Sequence, residues 1–320
     1  MNILFLTHSY PNYVPDLLLH GLRKILGDHV VDYPRKDCLY EGVLGLGVCP
    51  PEQRSARWFP DDSTVDRHDI KSKLVNGYFD YIVMDIRSVT GAGELLQGAR
   101  YKGLAIVDGE DLPTTINPGA FLYFQRETSG MDNSIPLPMA MPEEILEQIS
   151  QFDQVEKEYS IGFVGSLSDD NGYRKSIVEI LQRHYPDGYF RLSEVASETN
   201  PVPDGRLSKL EYYRAMQKCK VLITLRGTGY DTFRYWEHAA CNSVNLVEAM
   251  PILIPDTFSD NEDCCIFANT DEMKMKIDKV LQSEDLAVKL RSNCRQRLTQ
   301  YHLTSNRAEY FLSKLQSVYP

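Results

Sequence analysis

No apolar run in the chain is long enough to span a bilayer, and the N-terminus lacks a basic segment followed by an apolar stretch and a cleavage site. Neither a membrane span nor a secretory leader is therefore expected. Positive charge is in deficit: 34 Lys and Arg stand against 45 Asp and Glu, a formal net charge of −11 at pH 7. That deficit argues against chain-wide affinity for nucleic acid and leaves room only for a local basic site. The glycine triplet of a dinucleotide fold is also missing. The opening apolar segment, residues 2–7, runs directly into His8-Ser9-Tyr10, which argues against an oxidoreductase using NAD or flavin. The seven cysteines (Cys38, Cys49, Cys219, Cys241, Cys264, Cys265 and Cys294) show no CxxC spacing, and the adjacent Cys264-Cys265 is a poor zinc pair. They read as reduced, mostly buried thiols in a reducing, cytoplasmic compartment. No internal repeat or low-complexity tract stands out.

What is present is an ordinary globular composition, 42% hydrophobic and 25% charged over 320 residues, enough for two domains. In the first half, strands are expected at residues 3–6, 30–33, 81–85, 104–107 and 121–124. Helices are expected at 14–26, 70–76 and 94–100. Residues 37–66, rich in Gly, Pro and charge, read as a long loop. Residues 132–142 hold three prolines in extended context and read as the connection between halves, with Pro142 opening a helix. In the second half the expected strands are 159–164, 189–192, 221–225, 244–248 and 252–254. The expected helices are 174–184, 208–218, 271–283, 284–300 and 307–318. Ser208 with Glu211 three residues on has the capping-box pattern. This alternation predicts an α/β protein of two Rossmann-like, doubly wound domains facing a cleft. Their expected limits are 1–140 and 141–303, with a last helix in 304–320 returning to the first domain.

The most informative stretch is residues 221–241. A buried strand is followed by Arg226-Gly227-Thr228-Gly229, and Asp231 or Thr232 is positioned to cap the next helix. A glycine turn at a helix N-terminus presents backbone N–H groups and the positive end of the dipole to an anion. Arg226 and Arg234 add fixed charge suited to phosphate. Glu237, further along the helix, is placed to accept from ribose hydroxyls. Phe233, Trp236 and Ala240 recur at helical spacing and read as core, and His238 reads as structural. A phosphate site beside a ribose site points to a nucleotide, here the nucleotide half of an activated sugar.

Three other segments complete the expectation. The polar loop 165–172 after residues 159–164, which holds Ser166, belongs to a second strand–loop–helix unit and could receive a diphosphate, with Arg174 or Lys175 neutralising it. His8 follows the first strand and could serve as general base or hold an acceptor hydroxyl. Asp108, Glu110 and Asp111 sit on a glycine-bearing loop after another strand, where they could act as base, bind a sugar or hold a cation. Without a companion His cluster they make no convincing metal site.

These residues resemble the GT-B glycosyltransferases, in particular the bacterial CgeB-like and family 1 or 4 groups. The resemblance is carried by Gly162-Phe163-Val164-Gly165 with Arg174, and by the segment from Arg226 to Glu237 followed by Ala239-Ala240-Cys241. Asp108-Gly109-Glu110-Asp111 and Tyr123-Phe124-Gln125-Arg126-Glu127 contribute, and the likeness fades in the first 70 residues. The resemblance implies a nucleotide-sugar donor held by the second domain, an acceptor held by the first, and no essential metal or other cofactor. It implies donor diphosphate contacts from Ser166, Arg174, Lys175, Arg226, Gly227, Thr228, Gly229, Tyr230, Asp231 and Thr232. Ribose contact would come from Glu237, which resembles the later glutamate of the family's E-x7-E motif. The earlier position of that motif is Gly229, and Cys241-Asn242 replaces a Gly that often follows this helix. His8 or Asp111 would assist the acceptor hydroxyl, Arg226 would stabilise the leaving diphosphate, and Asp108, Glu110 and Arg234 would contact acceptor or sugar. A saccharide or other hydroxyl-bearing acceptor is expected and nucleic acid is not; peripheral membrane contact stays open, although no basic amphipathic helix demands it. The alternative is a non-catalytic protein of this fold that binds a nucleotide sugar.

Overall fold

The structure is a computed structural model that describes residues 1–40, 64–112, 121–130, 133–166, 172–193 and 207–320. Cys49 and most of the expected 37–66 loop lie outside the described residues. The first half runs β1 (Ile3–Leu6), α1 (Tyr13–Leu26), β2 (Val30–Tyr33), α2 (Ile70–Val75), β3 (Tyr81–Asp85), α3 (Gly93–Leu96), β4 (Gly103–Asp108), β5 (Leu122–Gln125) and β6 (Ile135–Pro136). The second half runs α4 (Glu143–Ser150), β7 (Tyr159–Ser166), α5 (Tyr173–His184), β8 (Tyr189–Ser193), α6 (Lys209–Gln217), β9 (Cys219–Thr224), α7 (Phe233–Ala240), β10 (Val244–Glu248), β11 (Cys265–Phe267), α8 (Thr270–Leu281), α9 (Glu284–Tyr301) and α10 (Thr304–Val318).

Two separate sheets form, in the orders β2-β1-β3-β4-β5-β6 and β11-β10-β9-β7-β8. Every strand pairing is parallel. Parallel strands must be covered on both faces, which is why β1, β3, β4 and β10 are buried along their whole length. One face of the first sheet packs Leu4, Ile82 and Ile106 against Ile70 and Leu74 of α2. One face of the second packs Ile161, Ile223 and Leu246 against Ile177 of α5 and Ile277 of α8. A third cluster runs through both halves, from Phe5, Leu18 and Phe124 to Trp236, Cys294 and Phe311. The two sheets are thus joined by a continuous apolar core.

Helix α10 lies on α1 of the first half. The Phe311 ring meets Phe124 with centroids 4.5 Å apart, and the Thr304 hydroxyl is 2.8 Å from His20 Nδ1. Because α1 is covered by the sheet on one side and by α10 on the other, its residues from Val14 to Leu22 are all buried. The six described cysteines are free thiols, five of them buried.

Three elements differ from the sequence reading. Residues 252–254 are not a strand; the edge strand is β11, some dozen residues later, paired with β10. Two prolines flank that short apolar run, at 251 and 255, and a proline cannot donate to a ladder. The expected extended connection contains β6, whose Ile135 and Pro136 add an edge to β5, a place where proline is tolerated. The helix expected at 94–100 ends at Leu96, where Gln97 turns extended and Gly98 takes a left-handed φ of 73°.

Candidate functional site

The C-terminal ends of the two sheets face each other across a cavity of about 720 Å³. That is where open parallel sheets bind ligands. Its first wall is built by Pro11, Asn12 and Tyr13 at the start of α1, by Arg87 after β3, by Gly109 and Asp111 after β4, and by Arg126 after β5. Its second wall is built by Val164, Gly165 and Ser166 ending β7, by Arg174, Arg191 and Ser193, by Lys209 and Tyr212 of α6, and by Thr232, Phe233, Arg234 and Glu237 of the α7 region. The Tyr13 and Phe233 rings stack across the gap, with centroids 5.4 Å apart and planes 16° apart.

Charge is distributed against the trend of the chain. The lining carries six cationic side chains, Arg87, Arg126, Arg174, Arg191, Lys209 and Arg234, and two carboxylates, Asp111 and Glu237, although the net charge of the protein is −11. A low-dielectric cleft lined by one sign of charge focuses the field on a ligand of the other sign. Four of the six cations stand on the second wall. Arg234 donates from Nε to the Val164 carbonyl at 3.1 Å, and its guanidinium lies 5.0 Å from the Phe163 ring centroid. It also rests against Gly165, where any Cβ would run into it, so the glycine makes room for the arginine. Arg174 donates to the Ser166 carbonyl and to the Arg226 carbonyl, both at 2.7 Å, and so ties the ends of β7 and β9 together.

Glu237 sits at the far end of this cluster. The Tyr212 hydroxyl donates to its Oε2 at 2.9 Å. Burial pushes its carboxyl up from 4.5 to about 7, against the opposing pull of Tyr212, Arg234 and Lys209. On the opposite wall Asp111 accepts from Arg126 Nη1 at 2.7 Å. Asn12 is fixed by its side-chain bond to Asp85 at 3.3 Å and its N–H bond to Asp16 at 3.0 Å.

Of the residues given a catalytic or binding role from sequence, Ser166, Arg174, Thr232, Arg234, Glu237 and Asp111 come together on the cavity. The rest do not line it. His8 accepts from the Tyr10 N–H at 3.2 Å and stands apart from the cavity wall. Asp108 is buried and accepts from the Tyr123 hydroxyl and from the Glu110 N–H. Glu110 pairs with Arg87 at 3.0 Å. Lys175 is exposed on α5 and does not line the cavity. Arg226 turns to Glu248 at 2.6 Å and lies over the Tyr173 ring, 4.1 Å from its centroid.

The expected open amides of the 227–231 turn need the largest correction. Gly227 N–H donates to the Gly229 carbonyl at 2.9 Å. Tyr230 and Asp231 N–H donate to the two oxygens of Glu127 at 3.1 and 2.9 Å. The Asp231 carboxylate is buried and accepts from Met139 N–H at 2.6 Å and Trp236 Nε1 at 2.8 Å. Thr228 is exposed away from the cavity, and Gly229 is packed under Glu127. A local reading sees a glycine turn before a helix; its anion comes from a segment a hundred residues earlier. Thr232 is the N-cap position of α7 but makes no side-chain cap bond. Trp236 and Ala240 are core, Phe233 is at the cavity, and buried His238 bonds the Thr224 hydroxyl at 2.8 Å.

Sequence reasoning missed Arg191, Lys209, Tyr212, Arg126 and Asn12. Arg191 had a signal, a lone charge within the otherwise apolar Tyr189-Phe190-Arg191-Leu192. Among the described residues, His20, Glu143 and Glu144 are close enough to hold a cation. None of them lines the cavity, and Lys24 Nζ already lies 2.6 Å from Glu144 and 3.6 Å from Glu143.

No curated protein sequence matches the chain. Solved structures do match over nearly its full length. HepE from Anabaena in complex with UDP-glucose superposes with a TM-score of 0.62 at 13% identity, over 99% of this chain and 100% of that one. An α-glucosyltransferase in complex with UDP-glucose and DNA gives 0.56 at 9% identity, over 98% of each chain. Sucrose-phosphate synthase from Thermosynechococcus elongatus gives 0.53 at 11% identity, over 99% of this chain and 98% of that one. These likenesses establish the GT-B fold. The family model described as "Glycosyl transferase-like" matches residues 143–313, and the chain belongs to that family of glycosyltransferases.

Proposed function

We propose that this glycosyltransferase moves a sugar from a nucleotide-sugar donor to a hydroxyl of a saccharide or similar acceptor, within the cleft between its two sheets. The observation that carries the reading is the cluster of Arg174, Arg191, Lys209 and Arg234 at the C-terminal ends of β7 and β8, with Glu237 beside it. In this reading the donor diphosphate lies over Gly165 and Ser166. The ribose hydroxyls donate to Glu237, which Tyr212 orients. As the bond from the anomeric carbon to the diphosphate oxygen breaks, negative charge grows on the leaving group where fixed guanidinium groups already stand. The acceptor oxygen forms the new bond to the anomeric carbon and passes its proton to the Asp111 carboxylate, which Arg126 holds in place.

Because four side-chain cations supply the counter-charge, the reading includes turnover without a divalent metal. The net charge of −11 supports an acceptor other than nucleic acid. No described helix is long and apolar enough to cross a membrane, and the free, buried thiols support a reducing, cytoplasmic setting. The test is release of nucleoside diphosphate from a panel of nucleotide sugars, with saccharide acceptors and with EDTA. Turnover that survives EDTA and is lost in Asp111→Asn and Arg234→Ala supports the reading. Binding without any turnover would make the chain a nucleotide-sugar-binding protein instead.

A further inference from the structure

The turn between β9 and α7 is held from the other half of the molecule. Glu127, two residues beyond β5, has a side chain only 4% exposed. It accepts the N–H groups of both Tyr230 and Asp231. Its neighbour Arg126 donates to the Asp231 carbonyl, at 3.1 Å from Nε and again from Nη2. The dipeptide therefore grips the turn on its donor side and its acceptor side together. From α7 the turn is held only through the Asp231 side chain, which accepts from Trp236 Nε1, and the N-cap residue Thr232 makes no side-chain cap bond. Gly229 completes the fit, because a Cβ there would stand 2.5 Å from Glu127 Oε1. The Glu127 carboxylate thus fills the space that a side chain at position 229 would enter.

We propose that Glu127 is a positioning residue for the donor site. From the first half it supplies the carboxylate that caps the turn before α7, so that Arg234 and Glu237 are in register with the end of β7 only while the halves are docked. Glu127 does not line the cavity and acts through Asp231 and α7, with Asp231 three and six residues ahead of Arg234 and Glu237 respectively. The donor side of this inference rests on the reading given above; the capping side does not.

The experiment compares the native chain with Glu127→Ala, Glu127→Gln, Gly229→Ala, and Glu127→Ala combined with Gly229→Asp. Hydrogen exchange at residues 230 and 231 and the Kd for UDP are both measured, with circular dichroism confirming the fold. An unpaired buried amide forfeits a bond to a charged group, so Glu127→Ala speeds exchange at both positions and weakens UDP binding about tenfold or more. Gly229→Ala pushes on the carboxylate, and less severely on the Asp111 carbonyl at 3.2 Å, and weakens binding while Glu127 is present. Asp at 229 can reach the N–H two residues on, as in an Asx turn, so the combined variant recovers slow exchange at 231 and most of the affinity. That rescue is not expected if Glu127 merely adds stability. Where Glu127→Ala does not fold, Glu127→Gln, which keeps one accepting oxygen, shows the same effects in reduced size. Unchanged exchange in the folded variants overturns the capping role, and unchanged UDP affinity beside faster exchange overturns the link to the donor site. Tighter UDP binding in Glu127→Ala also overturns it, because the carboxylate would then be a competitor of phosphate. A native chain that binds no nucleoside diphosphate sinks the donor reading, and the exchange and rescue results still judge the cap.

Discussion

Glu237 is placed for binding at a cost in stability, and the two effects can be separated. Its carboxyl titrates near 7 in the folded chain, pushed up by burial, against 4.5 in the ordinary case. The folded state therefore holds this proton more tightly than the unfolded state between those two values. Its contribution to stability is greatest below about pH 4.5, declines as pH rises through the window, and stays low above about 7. The span corresponds to roughly 3 kcal/mol as an upper bound, reduced in practice by water entering the cleft. Glu237→Gln removes the titration while keeping an oxygen for the Tyr212 hydroxyl. Urea unfolding at pH 5 and pH 8 is the assay. The variant is expected to match the native chain within about 1 kcal/mol at pH 5 and to exceed it by about 1–3 kcal/mol at pH 8. At pH 8 it binds UDP at least tenfold more weakly, since a bond to a charged acceptor is worth roughly 1.5–3 kcal/mol. Nucleoside diphosphate binding by the native chain is expected to strengthen as pH rises through 7. A stability difference that is the same at both pH values, or a variant less stable at pH 8, would refute the assignment of a carboxyl raised by desolvation.

Other substitutions separate the cavity from its surroundings. Gly165→Ala drives a methyl into the Arg234 guanidinium; it should weaken UDP binding tenfold or more with no change in charge, as read by calorimetric titration. Arg226→Ala should change UDP affinity less than about threefold, because the side chain is committed to Glu248 outside the cavity; its cost should appear as about 1 kcal/mol in urea unfolding. Treatment with EDTA should leave the Kd for UDP unchanged. His8→Ala should leave turnover within about twofold in the nucleotide-release assay, since His8 stands off the cavity wall, whereas Asp111→Asn should lower it at least a hundredfold.

The sequence made the architecture legible wherever short apolar runs met amphipathic helices. The strands at 3–6, 81–85 and 244–248 and the Ser208–Glu211 capping box appear as read. The edges were harder. A strand of three residues such as β11 carries too little pattern to outweigh an apolar run between prolines. The site divides in the same way. Arg174, Arg234 and Glu237 sit on helices whose register follows from strand–turn–helix units, and they reach the cavity. The 227–231 amides and Arg226 were read from local sequence alone, and their partners Glu127 and Glu248 are brought by other strands. Lys209 and Tyr212 enter because α6 brings the Tyr212 hydroxyl to Glu237 of α7, a tertiary fact that no spacing encodes.

The most direct test of the central claim is calorimetric titration of the native chain and of Arg234→Ala with UDP and other nucleoside diphosphates. The account predicts saturable binding of one nucleoside diphosphate to the native chain and at least tenfold weaker binding to the variant, with its fold unchanged. Binding of none of them by the native chain, or equal affinity in the two proteins, would contradict the placement of the donor diphosphate over Gly165 and beside Arg234.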